Sequence, residues 1–170
     1  MVGQSRSRYA ELLIEEGQLQ EAEALLRQAL EEFVAERLSD DEIEGRAILA
    51  DALIAEGKKA EAELEIKSAQ KLVSKSQNAT TRLKLEIVDG RQRMSSGKAG
   101  QAKDRLEKAL DTATKYGFLG YELEARLALG ELEMNSDKAA AGRLQLISLQ
   151  KAAAASGFLT ISRKAQAAAK

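Results

Sequence analysis

The chain has 170 residues, 44% of them apolar, a net charge of −1, and neither cysteine nor histidine. That is enough material for a core, yet disulfides, zinc sites built on Cys or His, Cys-His pairs and the Ser-His-Asp triad are all excluded. Proline is absent, aromatics make up 4%, and strong helix formers dominate, so an all-α chain is expected.

In chain order, apolar periodicity predicts helices over 4–16 and 19–37, parted at Gly17, and over 40–56 and 59–76, parted at Gly57. Helices over 79–96 and 99–116 follow around Gly97, then 119–135 and 138–156 around Asp137, and a last one over 158–169. The second helix shows the pattern best: Ala22, Leu25, Leu26, Ala29, Leu30, Phe33 and Val34 recur at i, i+3, i+4 and i+7. Ser39 and Glu42 have the spacing of a capping box, with Asp40 and Asp41 suited to a helix N-terminus. Asn78-Ala79-Thr80 matches a glycosylation acceptor, but its place between two helices favours a helix cap. Gly117 and Gly157 close the sixth and eighth helices. No apolar run reaches the length of a membrane span, and the first residues lack a signal peptide's apolar core, so a cytoplasmic protein is expected.

A period of 40 organises these helices. Gly17, Gly57, Gly97 and Asp137 mark the turn; Ala10, Ala50, Gly90 and Gly130 precede it by seven residues; Ala22, Ala62, Ala102 and Gly142 follow it by five. Leu26, Ile66, Leu106 and Leu146 form a fourth column, and Ala29, Ala69, Ala109 and Leu149 a fifth. Each column has a physical use. Gly accepts the positive φ that ends a helix, and Asp137 is a tolerable substitute there. Small residues belong where two helices cross closely, and the larger column fills the space between hairpins.

This spacing of small residue, turn Gly, Ala, large apolar residue and second Ala resembles the tetratricopeptide repeat. The resemblance covers essentially the whole chain and is nearest the long-repeat bacterial forms, since 40 exceeds the family's usual length of about 34. It departs from the family in having Arg6, Arg46, Glu86 and Arg126 where an aromatic is common, and in lacking the Pro at the repeat end. The resemblance implies a right-handed α-solenoid of four helix-turn-helix repeats, about 3–42, 43–82, 83–122 and 123–157, plus a capping helix over 158–169. It implies a single domain within a longer protein, whose first helices line a shallow concave face.

On that face the resemblance places Gln4, Glu44, Lys84 and Glu124 in one column, and Glu11, Asp51, Arg91 and Glu131 in another. Glu15 opens a third. The partner-binding candidates are thus Glu11, Glu15, Glu44, Asp51, Lys84, Arg91, Glu124 and Glu131, an acidic wall with a basic interruption. A solvated helix face is the bland alternative. Relatives that clamp a C-terminal carboxylate use basic and amide side chains where this chain has Ser7, Glu11, Ile48, Lys84 and Val88; only Lys84 fits. The expected function is a protein-interaction scaffold of a bacterial regulatory or signalling protein, without catalytic or metal centre and without cofactor, taking a basic or mixed-charge peptide or protein. The alternatives are self-association and small-ligand sensing. Nucleic acid fits poorly, because the local cluster Arg82, Lys84, Arg91, Arg93 and Lys98 has no interleaved aromatic in a chain of pI about 5.8. Residues 1–60 carry 14 acids and 7 bases, whereas 61–115 carry 8 and 12, an asymmetry suited to selecting charge or to packing copies head to tail.

Overall fold

The computed structural model describes residues 2–170, and among these there are nine helices and no strand. They are α1 (Val2–Glu15), α2 (Leu19–Ala35), α3 (Ser39–Ala55), α4 (Lys59–Val73), α5 (Ala79–Ser95), α6 (Ala99–Tyr116), α7 (Leu119–Met134), α8 (Ala139–Ala155) and α9 (Leu159–Ala168). The predicted helices match these within three residues. No helix of the described residues is long and apolar enough to cross a membrane.

The helices group into two compact units that divide between α5 and α6, the first running to Ser96 and the second spanning Gly97–Lys170. In the first, α3 packs against α1, α2, α4 and α5. It can do so because it buries Ile43, Gly45, Ala47, Ile48, Leu49, Ala50, Ala52 and Leu53, so almost every direction is apolar. In the second, α7 packs against α6, α8 and α9, and α8 against α9. Its core is Leu123, Leu127, Leu146, Leu149, Ala153, Ile161 and Ala165.

The small-residue columns are buried throughout, as helix crossings require: Ala10, Ala22, Ala29, Ala50, Ala62, Ala69, Ala102 and Ala109 have no exposed surface. Gly130 and Gly142 mark the tightest crossing. A Cβ on Gly142 would lie 2.8 Å from the Met134 amide nitrogen, and one on Gly130 would lie 2.7 Å from Leu146 Cδ2. In this repeat Leu149 stands where the other repeats have Ala.

Turn chemistry differs from expectation at two places. Gly17, Gly57, Gly97, Gly117 and Gly157 all have positive φ, but Asp137 does not; the non-glycine residue in the left-handed region is Arg37, at φ 59°. The Asp137 turn is tied instead by the Ser136 hydroxyl, which donates to the Glu133 carbonyl and accepts from the Lys138 amide. The capping box is not formed. Leu38 is the N-cap of α3, without a side-chain cap, which puts Ser39 inside the first turn while Glu42 pairs with Arg46. Leu38 packs against the core, and that burial fixes where the helix begins. Asn78 does cap α5, its side-chain oxygen accepting from the Thr80 and Thr81 amides.

Candidate interaction surface

Six of the eight candidate residues lie in the first unit, on first-position helices of successive repeats: Glu11 and Glu15 on α1, Glu44 and Asp51 on α3, Lys84 and Arg91 on α5. Burial of Ala10 and Leu13 turns Glu11 to one side of α1, and burial of Ala50, Ala52 and Leu53 does the same for Asp51 on α3. The 40-residue spacing joins Arg91 to Asp51, whereas Lys84 reaches Glu11 of α1, 73 residues away. The Lys84 ammonium donates to the Glu11 carboxylate and stands 3.7 Å from Glu44. Arg91 donates to both carboxylate oxygens of Asp51, at 3.0 and 3.1 Å. Lys84 and Arg91 keep 17% and 16% of their side-chain surface, whereas Glu11 and Asp51 keep 37% and 32%, so the cations are largely withdrawn from water and the carboxylates are not. The basic interruption is therefore folded into the acidic wall and neutralises part of it.

Glu15 is exposed. Glu124 and Glu131 sit half-buried on α7 of the second unit, and neither lacks a partner. A small cleft of about 150 Å³ opens between α1 and α3, lined among others by Gln4, Ser7, Glu11, Asp41 and Glu44. Gln4 donates to Asp41 at 2.8 Å. The Ser7 hydroxyl is buried there without a hydrogen-bond partner. Neither feature was legible from charge columns, because Ser7 and Asp41 are unremarkable until α1 and α3 are brought together.

Of the predicted basic cluster, Lys84 and Arg91 are engaged as described, and Arg93 pairs with Asp89 at 3.0 Å. Away from these columns the first unit is laced by further ion pairs within and between helices. Arg46 bonds Glu42 at 2.8 Å and Glu65 at 2.6 Å; Arg27 reaches Glu23 at 2.7 Å and Glu61 at 3.3 Å; Lys58 reaches Glu23 at 2.7 Å; Arg6 pairs with Glu32. The bond from Lys58, opposed by partial burial and helped by Arg27, holds the Glu23 carboxyl below its usual range. Glu23 in turn raises Lys58 and Arg27.

The second unit carries its own concavity, a groove of about 860 Å³ between α6 and α8 with α7 as its floor. It is lined by apolar Leu110, Leu129 and Leu144 and by charged Lys115, Glu122 and Arg126 among others. No family model matches this chain, and neither the curated proteins nor the solved structures include one with significant similarity to it.

Proposed function

We propose that the chain is a tetratricopeptide-like solenoid of four repeats and a capping helix, and that it acts as a protein-interaction module. Its first-helix columns would take a basic or mixed-charge segment of a partner, as part of a regulatory or signalling protein in the cytoplasm. The observation that carries the reading is the seating of Lys84 against the Glu11 carboxylate of α1 and of Arg91 against the Asp51 carboxylate of α3. This face binds cationic side chains already, with the chain's own residues as the first ligands. A partner's lysine or arginine would meet Glu15, Glu44 and Asp41 around the existing pairs. Attraction from several acids acts collectively and speeds encounter, whereas each exposed pair adds little.

The test uses a labelled lysine-alanine repeat peptide as probe, followed by fluorescence anisotropy at low and high salt. Lys84→Met should strengthen binding by uncovering Glu11 and Glu44; Glu44→Gln with Asp41→Asn should weaken it; added salt should erase the difference. If parent and variants bind the probe alike, the columns are a solvated face and the reading fails.

A further inference from the structure

The repeat supplies its own template for the groove of the second unit. Arg6, Arg46 and Arg126 occupy one column. In the first two repeats the guanidinium takes a carboxylate from the second helix of its own pair, Glu32 for Arg6 and Glu65 for Arg46. In the fourth repeat the residue corresponding to Glu65 is Gln145, and α8 carries no acid anywhere along its length. Among the described residues Arg126 meets only Glu122 of its own helix, at 3.7 Å; its exposure of 34% is close to the 32% of Arg6 and above the 20% of Arg46.

The apolar neighbours change in step. Leu30 and Leu49 are buried in the first unit, but their counterparts two repeats on, Leu110 and Leu129, are half-buried and line the groove. The fourth repeat thus displays, side by side, an arginine without its interhelical carboxylate and leucines without their full cover.

A complementary face exists on the same chain. Val2, Tyr9 and Leu12 of α1 are 60%, 52% and 60% exposed and fall within one narrow arc of the helix, and Glu16 follows directly at its C-terminal end. In α3 the same register holds Leu49 and Ala52, both fully buried against neighbouring helices. The outward face of α1 is therefore patterned as a packing face and ends in a carboxylate. Charge agrees: residues 1–96 carry 19 acids and 14 bases, net −5, and residues 97–170 carry 8 and 12, net +4.

We infer that a second copy of this chain docks its α1 into the groove between α6 and α8. Tyr9 and Leu12 cover Leu110, Leu129 and Leu144, and Glu16 supplies to Arg126 the carboxylate that α8 lacks. The mode is a helix laid into an apolar groove, with one charged pair fixing its direction. The contact joins unlike faces, so a docked pair keeps one free groove, on one copy, and one free α1, on the other. It uses surfaces other than the acidic columns, and stands or falls separately from the function proposed above.

Sedimentation velocity on the full chain tests this. Association should rise with protein concentration and weaken in high salt. Arg126→Glu and Leu12→Glu, both at positions not buried in the free chain, should each weaken it by about tenfold or more, the scale of losing an interface anchor. Mixed together, these two variants should form a one-to-one complex that grows no further, because one retains a good helix and the other a good groove. Gln145→Glu should close the groove from within, raising the thermal midpoint of the free chain while weakening association. A chain that stays monomeric at millimolar concentration and low salt, or one whose association ignores these substitutions, overturns the inference.

Discussion

The two units share one repeat period, and the ion pairs that join helices in the first can be set beside the glycine crossing of the second. In the first, charge crosses from helix to helix: Arg6 to Glu32, Arg46 to Glu65, Lys84 to Glu11, Arg91 to Asp51. In the second, Lys103–Glu107 and Arg126–Glu122 run along single helices, and the α7–α8 joint is made by Gly130 and Gly142. The first places Ala10, Ala22, Ala50 and Ala62 in the corresponding columns. A crossing with glycine on both sides needs no polar lacing to define its distance, because backbone and side-chain atoms already touch. A crossing with alanine leaves room at its margins, and there ion pairs set register at small net cost or gain.

The largest effect expected from breaking this contrast is at Phe33. Its ring fills the space beside Gly3 and Gly45, whereas its counterpart two repeats on is the small, buried Ala113. Phe33→Ala should cost about 3–5 kcal/mol in denaturant unfolding, the usual range for an emptied aromatic site. A loss under about 1 kcal/mol would mean that the first unit closes up as readily as the second.

Next in size is a pair of like substitutions in the second unit. Gly142→Ala should destabilise by about 1–3 kcal/mol, because the new methyl meets the backbone of Glu133 and Met134. Gly100→Ala, where a Cβ meets nothing within 4 Å, should stabilise by up to about 1 kcal/mol through helix preference. Thermal melts giving both the same sign would show that helix preference, not the close crossing, decides.

The smallest effect is pH dependence, and it should be centred on Glu23 in the first unit. The folded-state pKa of Glu23 lies below its ordinary value of 4.5, so its contribution is complete above that value and fades as pH falls through the depressed one. Hydrogen exchange between pH 5 and 3 should therefore loosen α2 and α4 before α7 and α8, and Glu23→Gln should remove that difference.

Much of the architecture was legible in the residues because its devices are local and repeated. A glycine at fixed spacing reports a backbone angle whatever surrounds it, and the alanine columns report a distance between two helix axes. The capping box at Ser39 misled because a local signal lost to a nonlocal one, the burial of Leu38. The candidate surface was half legible. Charge reversal down the columns, Asp51 to Arg91 and Glu44 to Lys84, was visible in the sequence. Reading it as internal pairing required knowing that neighbouring first helices approach within reach of a lysine. The opening of the second groove was illegible for the same reason: Gln145 has meaning only beside Arg126.

The positive-φ residues Gly17, Arg37, Gly57, Gly97, Gly117 and Gly157 are separated by multiples of 20, and this ruler skips two marks. One is the segment between Val73 and Ala79, the other the turn at Asp137. A helix locked at both ends by such turns cannot absorb an added residue without rotating every later side chain by about 100°. Joints without the lock have no such constraint. Length variation among descendants of this sequence, tags inserted by an experimenter and the first cuts of a protease should therefore collect at these two joints and avoid the marked ones.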